Sequence, residues 1–443
     1  MNVLLLNPNL SAARIGSRRY KRAWPPLDLL IAGAMLHGQG HGVSLLDARA
    51  KDTTPEEMTK AAQGADLVFL QSTPLDRWQC PDLNWEALVN LARSFPSEKL
   101  VLGGVHGTLH PELMLRKTGA MALIRGEPEA PLLELAEAGG NPRGLAGTSY
   151  PDSGQIVHEP DHESLDLSQA PPPQYELVDL ADYGYELLGP RLALLETSRG
   201  CPFQCTFCLK TMYGPGVRTK PLDSVLAEVE NAVARHGAES IYFIDLEFGL
   251  DRDFAFEFCQ NLIESNLSFR WCCQTRADTV DADLLTVMKK AGCELIHFGV
   301  ETGSPRLLEE TRKNITLEQI QRVLGHCRQL GINTVCFFLM GLPGEKESDR
   351  RATVAAARRL NPTFASFHVA APYPGTELGR LSGSNEPFPV CLDREHDLEH
   401  LGRMVRRAYL QFYLRPAYLL SRLREGTFKD KLGKLRLFWE FVR

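Results

Sequence analysis

The chain has 443 residues, which at ~100–200 residues per domain allows two to four domains. Apolar residues make up 44% and charged residues 23%, so the chain can bury a large core and is not disordered as a whole. A net charge of −6 gives no electrostatic case for nucleic acid as the partner of the whole chain. Its 11 cysteines are too sparse for a small secreted disulfide scaffold. The start, Met1-Asn2-Val3-Leu4-Leu5-Leu6-Asn7-Pro8, has no basic residue, and its apolar run is shorter than the ~7–15 residues of a signal-peptide core. No stretch approaches the ~18 uninterrupted apolar residues of a membrane span. A cytoplasmic location with reduced thiols is expected.

Strand-like runs come first at Val3–Leu6, Val43–Leu46, Leu67–Leu70, Leu100–Leu102 and Met121–Ile124. Helical patterns lie between and after them, at Leu27–Leu36, Pro55–Ala62, Trp85–Phe95, Pro111–Arg116 and Pro128–Glu137. This alternation predicts a doubly wound parallel sheet covered on both faces, with ligands at the carboxyl ends of its strands. Those ends carry Asn7-Pro8-Asn9, Gln71-Ser72-Thr73, Gly103-Gly104-Val105-His106-Gly107 and Arg125-Gly126-Glu127. Glycines there let the backbone approach a flat ligand closely.

Residues 140–190 are rich in Pro, Gly, Ser and Asp, include Pro171-Pro172-Pro173, and read as a linker between domains. Strand patterns resume at Leu192–Leu195, Ile241–Ile244, Phe269–Gln274, Leu295–Gly299, Thr334–Met340 and Ser366–Ala370. Helical patterns follow the first five, at Val225–Ala234, Phe254–Ile263, Ala282–Ala291, Leu317–Leu330 and Arg350–Leu360. Such units build either a closed or partly closed barrel or an open doubly wound sheet, and periodicity alone does not separate them. From Leu401 to Arg443 the chain reads as a helical tail with eleven Lys/Arg against three Asp/Glu, interleaved with aromatic residues. The organisation expected is 1–139, a linker over 140–190, a barrel over 191–380 and a helical region over 381–443.

Three cysteines stand together, Cys201-Pro-Phe-Gln-Cys205-Thr-Phe-Cys208, just after a predicted strand and Ser198-Arg199-Gly200. Clustered thiols in a reducing compartment point to soft-metal ligation. Structural zinc takes four ligands, and the nearest further Cys or His are His236 and Cys259. A four-iron cubane takes three thiolates and leaves one iron open. The bland reading is three small core residues. Cys80, Cys259, Cys293, Cys327 and Cys391 stand alone, and Cys272-Cys273 point to opposite faces of a strand, so no second cluster is expected.

The three-cysteine loop resembles the signature of the radical S-adenosylmethionine superfamily, and the likeness runs over Leu192–Leu378. The resemblance implies a partial (β/α)6 barrel holding a [4Fe–4S] cluster on Cys201, Cys205 and Cys208. S-adenosylmethionine would chelate the open iron and be cleaved to methionine and a 5′-deoxyadenosyl radical. Phe207 looks like the residue that packs on adenine, and Glu301 in Gly299-Val300-Glu301-Thr302-Gly303-Ser304 like the ribose ligand. Asp245 and Glu247 in Asp245-Leu246-Glu247-Phe248, with Arg276, are the other candidates to hold S-adenosylmethionine. Relatives often read D-D-x-F where Leu246 stands here.

The N-terminal half resembles the cobalamin-binding domain fused to such barrels, which implies a flavodoxin-like fold. Gly103-Gly104-Val105-His106 looks like its G-G-x-H, and Gly126-Glu127-Pro128-Glu129 like its G-E-x-E. The implied cobalamin set is Ser72, Thr73, Gly103, Gly104, His106, Gly126 and Glu127. The nearest match to D-x-H-x-x-G is Asp47-Ala48-Arg49-Ala50-Lys51-Asp52, with neither His nor Gly in place, so cobalamin without a protein histidine from that loop is expected. His106 reads as a hydrogen-bonding loop residue ahead of a cobalt ligand. The basic loop Arg14–Arg22 is a candidate partner for the corrin side chains or the nucleotide phosphate, or a solvated surface loop.

The implied function is a cobalamin-dependent methyltransferase acting on an unactivated carbon. The alternative keeps both cofactors but makes a cyclised, ring-contracted or rearranged product. A methylthiotransferase acting on RNA fits less well, because only Cys80 stands in the N-terminal domain, where relatives of that kind carry cysteines for a second cluster. The non-enzyme reading is a cobalamin sensor or a metal-stapled scaffold. Partners expected are an external electron donor and a small substrate, with lipids, tetrapyrroles and natural-product intermediates as apolar candidates. The basic aromatic tail is either a membrane-surface contact or a helix packed on the barrel.

Overall fold

The computed structural model describes residues 1–10, 23–383, 386–392 and 398–423. The loop Arg14–Arg22 and the tail beyond residue 423 lie outside them.

Strands β1 (Asn2–Asn7), β2 (Gly42–Asp47), β3 (Leu67–Gln71), β4 (Leu100–Gly103) and β5 (Ala122–Ile124) are parallel, in the order β2-β1-β3-β4-β5. This is the doubly wound order whose switch point lies between β1 and β3, where a crevice opens at the strand ends. Leu4, Leu6, Val68, Leu70, Leu100 and Leu102 bury one face of the sheet, and Val3, Leu5, Leu67, Phe69 and Val101 the other. The helix Leu27–Gly38 is buried on two sides. Leu29, Ala32 and Leu36 pack on this sheet, while Leu27, Leu30 and Ile31 join the core of the second half.

The linker reading of 140–190 needs correction. Thr148–Asp152 (β6) and Gln155–His158 (β7) form an antiparallel hairpin that extends the sheet beyond β5. Its turn, Ser153 and Gly154, has φ of 48° and 85°, the mirror-image geometry that matches strand twist. Residues 174–190 are a strap pinned by the buried side chains of Tyr175, Leu180, Tyr183, Tyr185 and Leu188. Tyr175 donates to the Leu194 carbonyl at 2.5 Å and Tyr183 to Asp47 at 2.9 Å. A short ribbon, β8 (Gly184–Tyr185) with β9 (Gly189–Pro190), ends it.

The second half holds β10 (Leu192–Leu195), the ribbon β11 (Ser198–Gly200) with β12 (Val217–Thr219), then β13 (Ser240–Phe243), β14 (Arg270–Thr275), β15 (Cys293–Glu301), β16 (Asn333–Met340) and β17 (Phe364–Val369). Its main sheet is parallel throughout, in the order β10-β13-β14-β15-β16-β17, so β10 and β17 are edges and the barrel is partial. An open edge leaves unpaired backbone groups. The helix Leu398–Tyr413 and the segment after it cover the β17 edge. The Tyr413 hydroxyl takes the Ala365 N–H and donates to its carbonyl, Tyr409 takes the Phe367 N–H, and Tyr418 donates to the Thr363 carbonyl. Of the two tail readings, the described part matches the packed helix. No helix among the described residues is long and apolar enough to cross a membrane.

Candidate active site between the two strand-end faces

The cysteines occupy the loop of the β11–β12 hairpin. Arg199 pairs with Arg218 and Gly200 with Val217 across the ladder. Gly200 has φ of 106°, and a Cβ there would stand 2.2 Å from the Gly216 carbonyl oxygen, so only glycine closes this loop. Cys201, Cys205 and Cys208 are unpaired, half-buried thiols. Burial pushes Cys201 up to about 11 and Cys208 up to about 12, with the neighbouring thiols adding to the rise. Among the described residues no three His, Cys, Asp or Glu donors stand close enough to hold one metal ion. Three soft donors without a fourth suit a cluster corner by corner and not a closed zinc site.

Residues from three neighbouring strand ends converge on Cys205. Glu301, the last residue of β15, sits past a register shift at φ of 67°, and its carboxylate takes the Lys313 ammonium at 3.0 Å. Both are buried, and a Cβ on Gly299 would stand 2.3 Å from Glu301 Oε1 and 2.7 Å from Lys313 Nζ. Glu247 accepts the Arg276 N–H at 2.7 Å, and burial pushes its carboxyl up to about 7 against the pull of Lys313 and Arg276. The Arg276 guanidinium forks onto Asp278 at 2.8 Å and lies 3.8 Å over the Phe203 ring. Its Nη1 is buried without a partner, a vacant donor beside the cysteine loop. Phe207 packs against Leu307, Leu342, Ala370 and Leu378. Lys313 was not among the sequence candidates, since nothing local distinguishes it from a surface lysine.

Asp245 has a different role from the one expected. Its carboxylate is saturated by Thr197 and Ser198, which donate both backbone N–H groups and both hydroxyls, from 2.5 to 3.1 Å. Four of these five contacts fall on Oδ1, so the carboxylate, which is 1% exposed, anchors the strand that enters the hairpin.

At the N-terminal crevice, Ser72, Thr73, Gly103, Gly104 and His106 come together. A Cβ on Gly104, at φ of 93°, would stand 2.5 Å from Ser72 Oγ and 2.8 Å from the Thr73 nitrogen. The His106 ring is fully buried between the Thr73 hydroxyl at Nδ1 (3.3 Å) and the Asp82 carbonyl at Nε2 (2.7 Å). Burial pushes it down to about 4, so it is neutral and spends both nitrogens inside the fold. It is a hydrogen-bonding residue, carried on the short helix Val105–Leu109 and not on a loop as expected. Asp47 caps the short helix Ala48–Lys51.

Glu127 turns away from this set. The Gly126 N–H goes to Thr108 at 2.9 Å. Glu127 reaches across to the barrel, where both its oxygens take Arg218, one takes the Leu165 N–H at 2.8 Å, and Arg199 lies at 3.4 Å. Glu129 is also buried there, 2.9 Å from Arg199 but off its N–H axis. Arg199 forks onto Glu196 at 2.6 and 3.1 Å, and its guanidinium centre stands 5.4 Å from the Trp78 ring. The motif read as a cobalamin contact is a grip between the two halves. Its residue types were legible, but their direction depends on docking.

The inner barrel face carries Tyr242, His297, Phe337 and His368, whose rings touch in series, Tyr242 reaching past β14 to His297 and the others meeting across neighbouring strands. His368 is exposed at its surface, and the packing around it pushes it down to about 4, with Arg77 adding to the fall.

Residues 195–357 match the Radical SAM superfamily and residues 14–136 the B12 binding domain. The chain is 28% identical to an uncharacterized methyltransferase of Pyrococcus horikoshii, over 95% of this chain and 94% of that one. It is 26% identical to the anaerobic magnesium-protoporphyrin IX monomethyl ester cyclase of Rubrivivax gelatinosus, over 95% and 78%. Its fold matches that of the cobalamin-dependent S-adenosylmethionine radical enzyme OxsB, solved with aqua-cobalamin and S-adenosylmethionine, with a TM-score of 0.74 at 18% identity over 98% and 70%. The order of the two domains, the three-thiol hairpin and the glycine crevice agree with these matches: the chain joins a B12 binding domain to a Radical SAM superfamily domain.

Proposed function

We propose that this chain methylates an unactivated carbon of a small molecule. The observation that carries the reading is the joining of the two strand-end faces, with the cysteine hairpin gripped by Glu127 of the other half. When bound, the iron–sulfur cluster with S-adenosylmethionine supplies a hydrogen-abstracting radical, and cobalamin supplies the methyl group. The chain supplies the geometry. Cys201, Cys205 and Cys208 hold the cluster, Arg276 offers its vacant Nη1 to a carboxylate, and Glu301 and Phe207 stand where a ribose and an adenine would pack. Gly103 and Gly104 let Phe69, Ser72 and Thr73 close up against this strand end, which would give a flat ligand a side-chain-free wall. Orienting the reacting groups in an enclosed space is the protein's part of such chemistry.

The rings of Tyr242, Phe337 and His368 support a substrate with flat apolar surface, such as a tetrapyrrole or a polycyclic intermediate. Anaerobic incubation with reductant and candidate substrates tests the reading by following 5′-deoxyadenosine and product mass. Methylated product supports it; deoxyadenosine released with an unmethylated product overturns it. Likeness to a cyclase over 95% of the chain favours ring closure as the second reading.

A further inference from the structure

Arg199 and Arg218 face each other across the ladder of the cluster hairpin. Like charges in that position repel and would splay the two strands. Here Glu127 lies on both, and Glu127 comes from the other half of the molecule. Docking therefore supplies the one carboxylate that both arginines share, beside the Glu196 that Arg199 finds in its own half. Arg199 is two residues from Cys201 and 1% exposed, so a shift of its backbone is a shift of the first thiol.

The other face of Arg199 leads to the crevice. Its guanidinium lies against Trp78, which is fully buried and also meets the ring of Tyr213, just beyond the cysteines, at 5.3 Å. The Trp78 indole N–H donates to the Thr73 carbonyl at 3.2 Å. The Thr73 nitrogen is the atom that a Cβ on Gly104 would strike at 2.8 Å. A ligand pressed against Gly104 thus bears on the segment that carries Trp78. Thr73, Trp78 and Arg199 are all buried, so a displacement along this path is passed on through packed side chains.

We propose that Arg199 is a positioning residue that couples the cobalamin crevice to the cluster hairpin, so that filling one site raises the affinity of the other. The proposal rests on the two-cofactor reading above. Coupling between sites is reciprocal, and typical values change affinity by about 5–150-fold.

The test uses the full chain, anaerobically reconstituted, with its cluster oxidised so that S-adenosylmethionine is not consumed. Binding of S-adenosylmethionine is measured with and without hydroxocobalamin, and binding of hydroxocobalamin with and without S-adenosylmethionine. Each ligand should tighten the other by the same factor, at least about fivefold. In Arg199→Lys, which keeps the charge but loses the fork, that factor should fall to near one while iron content is kept. Trp78→Phe, which keeps a ring but loses the bond to Thr73, should lower it too, and serves if the first variant does not fold. A factor of one in the natural chain overturns the proposal. So does a factor unchanged in the variants, or a variant that weakens both ligands equally and keeps the factor, since that marks a purely structural arginine. Failure of the natural chain to take up cluster or cobalamin, read from iron content and the corrin spectrum, would instead overturn the two-cofactor reading.

Discussion

Replacing Lys313 by methionine removes the cation of a buried pair and leaves Glu301 behind. The ammonium and carboxylate are 3.0 Å apart, with side chains 7% and 9% exposed. Stranding one member of such a pair costs about 3–5 kcal/mol, a large part of the ~5–15 kcal/mol that holds a domain folded. The loss depends on pH, because a stranded buried carboxyl limits its cost by taking up a proton. Burial pulls the Lys313 ammonium down, but Glu301, Cys205 and Glu247 hold it above the ordinary 10.5. Its contribution is therefore fully present below pH 10.5 and is lost only as pH rises through the raised value. The loss in Lys313→Met should accordingly be larger at pH 8 than at pH 5, measured by denaturant unfolding of the cluster-free chain. The double variant Lys313→Met with Glu301→Gln strands no charge and should recover most of the stability. A loss under about 1 kcal/mol at pH 8, or equal losses in the single and double variants, would refute the reasoning.

Asp28 is fully buried, and burial, with Glu129 beside it, pushes it up to about 8 from an ordinary 3.8. The folded chain then holds a proton that the unfolded chain has lost, so stability falls as pH rises through that window. Asp28→Asn should stabilise the chain by on the order of 2 kcal/mol more at pH 8 than at pH 5; an equal effect at both would contradict this. Gly104→Ala forces a Cβ to 2.5 Å from Ser72 Oγ and should weaken hydroxocobalamin binding about tenfold or more while cluster uptake stays normal. Cys205→Ala should lose the visible iron–sulfur absorption and deoxyadenosine formation together, and retention of both would remove the hairpin from the chemistry. Leu414, Leu419 and Leu420 are exposed on the tail, so flotation with anionic vesicles should depend on residues 401–443 if this face meets a lipid surface, and truncation without effect would end that idea.

Where chemistry repeats along the chain, the sequence was readable. The parallel strands of both halves fall within one or two residues of their hydrophobic runs, because parallel strands buried on both faces need continuous Val, Leu and Ile. The cysteine loop was readable for a similar reason, since its donors are close in sequence. Residues whose meaning lies in distant partners were not. Glu127 sits in a recognisable motif, but only docking shows that it faces Arg199 and Arg218, 72 and 91 residues away in the chain. Asp245 stood at the expected strand end, yet Thr197 and Ser198 claim its carboxylate. The β6–β7 hairpin hid in a segment rich in Pro and Gly, although Asp152-Ser153-Gly154-Gln155 is a turn between two alternating runs.

The most direct test of the central claim is a single turnover of the cluster-loaded chain carrying methylcobalamin with a deuterated methyl group, given unlabelled S-adenosylmethionine and a substrate it converts. The account predicts that the first product carries the deuterated methyl, together with one deoxyadenosine per methyl transferred. An unlabelled methyl in that first product, or a converted substrate with no added methyl, would contradict it.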